Sequence, residues 1–128
     1  MATVLIVDDE PNVVELVRVT LEDDRLDVIA AMSGTEALEL AAAARPDLIL
    51  LDVNLPDLSG LEVCRRLRHD PRFAGGRIVM LTAAAQGEDV RGGLAAGADE
   101  YLTKPFSPVR LLSLVEALVP GLTLWARK

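Results

Sequence analysis

The sequence is poor in aromatic residues, cysteine and histidine, and each shortage narrows what the protein can be. Only 3% of the 128 residues are aromatic, so the core must be built from leucine, valine, isoleucine and alanine. The single cysteine, Cys64, excludes an internal disulfide and any multi-cysteine metal site. The single histidine, His69, stands in a polar His-Asp-Pro turn. With so few sulfur and imidazole ligands, a zinc centre is disfavoured.

The chain also lacks long apolar runs and an excess of positive charge. Nowhere does it contain the roughly eighteen consecutive apolar residues that a membrane span needs, and Met1 runs straight into a predicted strand without signal-peptide architecture. The formal net charge of −7 argues against duplex DNA or an anionic membrane as a direct partner, because both require clustered lysine and arginine. We therefore expect one soluble, cytoplasmic domain.

The most informative stretch is LILLDVNLPDLSG, residues 48–60. Its four leading apolar residues are typical of a strand that is buried on both faces of a parallel sheet. The run stops at Asp52, which faces a loop. An ionised carboxylate beside so much apolar surface is costly unless it is paired or bound to metal. Asp52 is therefore our candidate functional centre, with a helix-capping or turn aspartate as the alternative.

Strand and helix patterns alternate five times along the chain. The predicted strands cover residues 3–7, 27–31, 48–51, 78–81 and 100–103. The predicted helices cover residues 11–23, 33–44, 59–68, 88–96 and 108–119. The fourth helix contains Gly92 and Gly93, each of which costs about 1 kcal/mol relative to alanine, so we expect it to be mobile.

Five βα units with right-handed crossovers predict an α/β three-layer sandwich, a parallel sheet with helices on both faces. If the strand order is 2-1-3-4-5, strands one and three are neighbours at the switch point where ligands bind. This order brings Asp8 and Asp9 beside Asp52. Thr82 and Lys104 follow strands four and five and complete one cluster at the same edge.

Such a cluster of carboxylates with one lysine and one threonine suits Mg²⁺, or Mn²⁺, because these ions prefer oxygen ligands and leave positions for phosphate oxygens. With the metal screening its charge, Asp52 could attack a phosphorus atom and become an aspartyl phosphate. Lys104 would stabilise the charge on the transferring phosphoryl group, and Thr82 could donate a hydrogen bond to it.

Five motifs in a fixed order carry a resemblance to a known family. They are Asp8-Asp9, Asp52 with the following Asn-Leu-Pro, Ser59-Gly60, Thr82-Ala83 and Lys104-Pro105-Phe106. Over about residues 3–119 the chain resembles the receiver domain of two-component response regulators, such as the chemotaxis regulators. The resemblance implies a flavodoxin-like fold, with a receiver domain over residues 1–121 and a tail or linker stub over residues 122–128.

The resemblance also implies roles for the site residues. Asp52 would accept a phosphoryl group from a histidine kinase or a phosphotransfer protein on another chain. The carboxylates of Asp9 and Asp52 and the backbone carbonyl of Asn54 would ligate Mg²⁺, with Asp8 acting through a water molecule. Such a domain is a switch rather than an enzyme, with slow self-dephosphorylation. Ala84 occupies a position on the water path to the phosphoryl group, so the lifetime of the phosphorylated state stays open.

Three further positions complete the implied site. Lys104 would pair with Asp52 and then with the phosphoryl group, and the Lys104-Pro105 peptide bond would be cis. Thr82 would move to bond a phosphoryl oxygen. Tyr101 matches the aromatic switch position, whose ring turns inward when that threonine moves.

Output is expected through the face formed by the fourth predicted helix, the fifth strand and the final helix. Apolar residues cover most of the final helix, which indicates either a partner surface, such as a homodimer interface, or packing within the chain. A downstream protein or output domain is the other expected partner. Within the third helix, Cys64 is predicted to be a buried thiol. Arg65, Arg66 and Arg68 are predicted to form a solvated face.

Three other functions are alternatives to the switch. A Mg²⁺-dependent aspartyl-phosphate phosphatase usually has a second carboxylate two residues after its nucleophile, where this chain has Asn54. A flavin-binding protein needs a phosphate loop after strand one, where Asp8, Asp9 and Glu10 would repel phosphate. A receiver-like scaffold that never takes phosphate is disfavoured because the whole residue set is present.

Overall fold

The computed structural model describes residues 2–73, 75–83, 92 and 94–121. The strands are β1 (Ala2–Val7), β2 (Leu26–Ala31), β3 (Leu48–Asp52), β4 (Arg77–Thr82) and β5 (Glu100–Thr103). The helices that lie wholly within the described residues are α1 (Pro11–Leu21), α2 (Gly34–Ala44), α3 (Gly60–Arg68) and the final helix (Pro108–Leu118), with a 3-10 turn at Pro71–Phe73. In this part of the chain no helix combines the length and the apolar character that crossing a membrane would require.

The sheet is parallel and its strands lie in the order β2-β1-β3-β4-β5, so the predicted fold and strand order are confirmed. Val7 of β1 pairs with Leu51 of β3, and Asp52 pairs with Leu81 of β4. Strands β1, β3 and β4 therefore end at nearly the same level. Their carboxyl ends form one edge of the sheet because the strands are parallel.

Apolar side chains fill the space on both faces of the sheet. One core cluster lies under α1 and the final helix, and the other lies under α2 and α3. All five residues of β3 are buried because helices cover both of its faces. Burying one large apolar side chain stabilises the fold by about 1.5–3 kcal/mol, so these two layers hold the sheet edge in place.

Serine side chains define where three helices begin. The hydroxyl oxygens of Ser33, Ser59 and Ser107 each accept a hydrogen bond from the backbone N–H three residues later. Such caps satisfy N–H groups that have no partner within the helix. The predicted starts of α2 and α3 therefore shift by one residue, from the cap to the residue after it.

Most other boundaries differ from prediction by one or two residues. Helix α1 ends at Leu21 rather than at residue 23, because the Asp23 side chain accepts hydrogen bonds from the N–H groups of Arg25 and Leu26 and so closes a turn. Strand β4 gains one residue at each end. The fourth predicted helix, with its expected mobility, and Ala84 fall largely or wholly outside the described residues, as do residues 122–128.

The predicted solvated face of α3 is wrong for one arginine. Arg65 and Arg66 are exposed and pair with Glu62. Arg68 instead turns inward, where its guanidinium donates to the carbonyl oxygens of Gly97 (2.6 Å) and Gly76 (2.7 Å) and to the carboxylate of Asp99. The acceptors come from two distant loops, which helical periodicity alone cannot reveal.

The final helix uses its wide apolar surface within the chain. Its buried residues are Leu111, Leu112, Leu114 and Val115, all of which belong to the core cluster shared with α1. Val109, in the first turn, is 57% exposed. Packing within the chain therefore accounts for most of the apolar surface of the final helix. The width of this surface is not evidence for a partner.

Candidate functional site

Two of the three predicted carboxylates, Asp8 and Asp52, meet at the carboxyl edge of the sheet, where Glu10 rather than Asp9 joins them. Asp8 follows β1 and is 0% exposed, while Asp52 ends β3 and is 5% exposed. Carboxylate oxygens of Asp8, Glu10 and Asp52 lie within 4.8 Å of one another. Asp9 is exposed and lines the cleft above them. The strand order thus brings together acids that are more than forty positions apart in the chain.

Lys104 supplies the positive charge at the centre of this cluster. Its Nζ lies 2.7 Å from Asp8 Oδ2, 3.2 Å from Asp52 Oδ2 and 3.2 Å from Glu10 Oε1. Burial alone would lower the pKa of Lys104, but the hydrogen bond with Asp8 and the negative charges of Asp52 and Asp8 outweigh it and raise the pKa. The side chain therefore remains an ammonium group at any physiological pH.

The backbone around Lys104 fixes the position of its side chain. The Lys104 N–H donates to the carbonyl oxygen of Thr82 at 2.7 Å, which ties the end of β5 to the end of β4. The Lys104-Pro105 peptide bond is cis. The hydrogen bond between Lys104 and Thr82 fixes the backbone from which the Lys104 side chain extends, and the ammonium group lies between the carboxylates of Asp8, Glu10 and Asp52.

Asp52 is held from two sides. Its Oδ1 accepts a hydrogen bond from the Asn54 N–H at 3.2 Å, and its Oδ2 faces Lys104. Burial raises the pKa of Asp52, and the negative charge of Asp8 adds to this effect, while the Asn54 N–H and Lys104 oppose it. The net shift is upward. The charged form of this carboxylate is therefore destabilised in the folded protein, and a further cation nearby would stabilise it.

The donor set at this edge fits a hard divalent cation. Asp8 Oδ2 is buried beside the Lys104 ammonium, whose Nζ lies 2.7 Å away. At the same edge of the sheet lies a cleft of about 350 Å³, lined by Asp9, Glu10, Asp52, Asn54, Ala83 and Lys104. Carboxylate oxygens in an open cleft match the ligand preference of Mg²⁺, which keeps several of its waters.

Sequence reasoning assigned no role to Glu10, which belongs to the site. Glu10 occupies the N-cap position of α1, yet its side chain makes no capping hydrogen bond and instead reaches Lys104. The only signal in the sequence was its place as the third acid in the run Asp8-Asp9-Glu10. Nothing in that run indicates which acids turn toward the lysine.

The two predicted switch residues lie on neighbouring strands. Thr82, at the end of β4, is buried next to the Asp52 end of β3. Tyr101 pairs with Met80 across β4 and β5 and packs, partly buried, against the core cluster under α2 and α3. His69 lies outside the site, exposed at the end of α3, with its Nδ1 2.8 Å from the carbonyl oxygen of Arg65.

Gly60 allows the chain to pass directly over the phosphoacceptor candidate. Its N–H donates to the Val53 carbonyl oxygen at 2.8 Å. A Cβ atom at this position would lie 2.1 Å from the carbonyl oxygen of Asp52. No side chain fits at that distance, so the Ser59-Gly60 motif closes the loop of residues 53–59 over the end of β3.

Residues 4–116 match the family model of the response regulator receiver domain. The chain is 44% identical over 119 residues to the DNA-binding dual master transcriptional regulator RpaA of Synechocystis, covering 93% of this chain and 49% of that protein. It is 47% identical over 116 residues to the alkaline phosphatase synthesis transcriptional regulatory protein PhoP of Bacillus subtilis, covering 91% and 48%. The chain thus spans about half the length of these curated relatives.

Solved structures agree with the sequence comparison. The chemotaxis response regulator CheY4 of Vibrio cholerae superposes with a TM-score of 0.86 at 38% identity, covering 92% of this chain and 98% of that one. The BeF3-activated DrrB receiver domain superposes with a TM-score of 0.83 at 34% identity, covering 92% and 97%. On fold, site and sequence together, the chain belongs to the family of response regulator receiver domains of two-component systems.

Proposed function

We propose that the chain is a phosphorylation switch in which Asp52 accepts the phosphoryl group in a Mg²⁺-dependent reaction. Aspartyl phosphorylation is general in this family. The observation that supports Asp52 is its position: it is a nearly buried carboxylate with the Lys104 ammonium 3.2 Å from Oδ2 and the Asn54 N–H on Oδ1. It is the one member of the acidic cluster that combines a strand end, a cleft and both of these contacts.

Asp52, Lys104 and Thr82 would each have a different role in the phosphoryl transfer. A carboxylate oxygen of Asp52 forms a bond to phosphorus while the bond from phosphorus to the donor's imidazole nitrogen breaks, and that nitrogen keeps the electron pair. Lys104 neutralises charge on the phosphoryl oxygens, and the Thr82 hydroxyl donates a hydrogen bond to one of them.

Asp9, Asp52 and the Asn54 backbone carbonyl would hold Mg²⁺, or Mn²⁺, with Asp8 acting through a water molecule. When bound, the ion supplies the positive charge that lets two anionic groups approach each other. Of these residues, Asp9, Asp52 and Asn54 line one cleft, and a carboxylate oxygen of the buried Asp8 lies within 4.8 Å of one of Asp52. Receiver domains usually bind Mg²⁺.

The donor in this proposal is a histidine kinase or a phosphotransfer protein, because His69 lies outside the site. The domain changes its own state rather than turning over an external substrate, so it is not an enzyme in the usual sense, and it would lose the phosphoryl group slowly. A cytoplasmic location stays a prediction.

The signal would leave through β5, the final helix and the helical residues before β5. Backbone pairing of β4 with β5 links Thr82 to Lys104 and Met80 to Tyr101. A movement of Thr82 toward a phosphoryl group would thereby reach Tyr101. The receiver of the signal would be a downstream protein, an output domain such as those of the longer relatives, or a second copy of this chain.

Intact-protein mass spectrometry after incubation with acetyl phosphate and Mg²⁺ tests the proposal. The wild-type chain should gain about 80 Da, the mass of one phosphoryl group. Asp52→Asn should gain nothing, and omission of Mg²⁺ should abolish the gain. Asp47→Asn, which alters an exposed aspartate before β3, serves as the matched control and should behave as wild type. An undiminished gain in Asp52→Asn would refute the assignment.

A further inference from the structure

We propose that Asp57 is a positioning residue for the metal site: it clamps the loop of residues 53–59 onto the start of α2 and so fixes the backbone carbonyl of Asn54. This inference rests on the proposed function, because Asn54 matters only if its carbonyl oxygen is a metal ligand. Asp57 itself lies in the loop, exposed, and touches none of the acids of the cluster in the described contacts.

The clamp consists of four hydrogen bonds to one carboxylate. Asp57 Oδ1 accepts from the N–H of Gly34 at 2.7 Å and from its own neighbour Leu58 at 2.8 Å. Asp57 Oδ2 accepts from the N–H of Thr35 at 3.0 Å and from the Thr35 hydroxyl at 2.6 Å. Three of the four bonds cross from the loop to another element. The hydroxyl and N–H of Thr35, with the N–H of Gly34, hold the pKa of Asp57 well below its usual range.

The N-terminus of α2 is a favourable place for a carboxylate to accept hydrogen bonds. The first N–H groups of a helix have no partner within the helix and carry a partial positive charge. In α2 the Ser33 hydroxyl oxygen accepts from Glu36, which leaves the N–H groups of Gly34 and Thr35 for Asp57. A negative charge from the neighbouring loop therefore completes the start of α2.

Gly34 brings the loop and the helix into direct contact. A Cβ atom at this position would lie 2.9 Å from Leu58 Cβ and 2.9 Å from Val63 Cγ2. The loop thus approaches α2 more closely than any side chain at residue 34 would permit. A methyl group there would push the loop away from the helix while leaving the charge of Asp57 unchanged.

Loss of the Asp57 hydrogen bonds can affect the metal site because backbone hydrogen bonds already hold both ends of the loop. The Val53 N–H donates to the Leu81 carbonyl oxygen at 3.1 Å, and the Gly60 N–H donates to Val53. Asn54 follows the first of these ties, and only two residues separate it from Asp57. With both ends held, loss of the clamp frees the peptide units between them, and these include the Asn54 carbonyl, since only the N–H of Asn54 is bonded to Asp52.

Metal binding by the unphosphorylated full chain separates this role from that of a simple helix cap. We suggest titrating Mn²⁺ against wild type, Asp57→Asn, Gly34→Ala and Asp47→Asn, with free Mn²⁺ measured by electron paramagnetic resonance. Outer partners of metal ligands typically contribute 10- to 100-fold in affinity, and Asp57 acts one step further out, so we expect Kd to rise about 3- to 10-fold in Asp57→Asn.

Gly34→Ala should weaken Mn²⁺ binding as well, because it displaces the loop without removing any charge. Asp47→Asn removes a charge that accepts the Thr3 N–H at 2.8 Å, at the opposite edge of the sheet, and should bind as wild type. At saturating Mg²⁺, Asp57→Asn should still gain the mass of a phosphoryl group, because the chemistry at Asp52 is intact.

The outcomes distinguish this inference from the proposed function. If wild type takes no phosphoryl group, the proposed function fails. If wild type is phosphorylated but Asp57→Asn and Gly34→Ala bind Mn²⁺ as tightly as Asp47→Asn does, the clamp is only a helix cap and the inference is overturned. Weakened binding in Asp57→Asn alone would assign the effect to its charge and would also overturn the positioning role. If Asp57→Asn does not fold, Gly34→Ala decides.

Discussion

Replacing Asp52 by asparagine should make the metal-free protein more stable, although it removes the proposed phosphoacceptor. Asp52 is nearly buried, and its charge faces one ammonium group, the buried carboxylate of Asp8 and the exposed carboxylate of Glu10. Asparagine has almost the same shape and carries no charge. Lys104 would keep Asp8 and Glu10 as partners, so the substitution leaves no buried cation unpaired.

The expected gain follows from the distances. At an effective dielectric constant of about 20, attraction to Lys104 at 3.2 Å is worth about 5 kcal/mol, and repulsion by Asp8 at up to 4.8 Å costs about 3–4 kcal/mol. Removing a carboxylate from water costs several kcal/mol more. The ionised Asp52 is therefore a net cost to folding, in agreement with its raised pKa. We expect Asp52→Asn to raise the free energy of unfolding at pH 7 by about 1–2 kcal/mol.

The pH dependence of this gain provides an internal check. Because the pKa of Asp52 is raised in the folded state, the folded protein holds this proton more tightly than the unfolded chain, and wild-type stability falls as the pH rises from about 4 through the folded-state pKa. The advantage of Asp52→Asn is thus complete above that window and disappears below it.

Urea unfolding followed by far-UV circular dichroism, in the absence of divalent metal, measures the effect at pH 7 and at about pH 3. Addition of Mg²⁺ should stabilise wild type more than the variant, which lowers the difference between them. A variant that is less stable than wild type at pH 7, or an advantage that persists in acid, would refute the electrostatic account of the site.

Three further predictions concern the frame of the site. Arg68→Ala should lower the free energy of unfolding by about 2–4 kcal/mol in urea titrations, because a partly buried cation and its hydrogen bonds to two loops are lost. Replacement of the exposed Arg66 by alanine should change this free energy by less than about 0.5 kcal/mol. Equal effects of the two substitutions would argue against the inward position of Arg68. Gly60→Ala should abolish the phosphoryl mass gain and lower the free energy of unfolding by about 2–4 kcal/mol, because its Cβ would lie 2.1 Å from the Asp52 carbonyl oxygen. Gly75→Ala, whose Cβ would have no atom within 4 Å, should behave as wild type in both assays. Burial raises the pKa of the Cys64 thiol to about 11, so an aromatic disulfide reagent should label it at about pH 8 only after denaturant is added, and rapid labelling of the native protein would contradict its buried position.

The strand order and the convergence of Asp8, Asp52 and Lys104 could be predicted because few rules govern them. Alternating apolar strands and amphipathic helices predict a parallel sheet, and parallel strands all end at the same edge of the sheet. Any polar residue that directly follows an apolar strand must then lie at that edge. Serine caps likewise have a local sequence signal, as Ser33 and Ser107 illustrate.

The contacts that escaped prediction join segments through long or flexible side chains. Arg68 has the helical position of a surface residue, but its guanidinium reaches carbonyl oxygens in loops that only the folded chain brings near. Glu10 could have capped α1 or faced water, and its preference for Lys104 depends on the position of β5. Asp57 resembles an ordinary turn residue until α2 is seen against its loop. In each case the sequence shows which residue is present, but it does not show how close that side chain comes to its partner in the folded chain.

A crystal structure of the chain with Mn²⁺ and beryllofluoride, a mimic of the phosphoryl group, would test the central claim most directly. The proposal predicts beryllium bonded to an Asp52 carboxylate oxygen, with Lys104 Nζ and the Thr82 hydroxyl within hydrogen-bonding distance of fluorine. Anomalous scattering should place Mn²⁺ between Asp9, Asp52 and the Asn54 carbonyl. Beryllofluoride on another carboxylate, or Mn²⁺ bound away from Asp52, would contradict it.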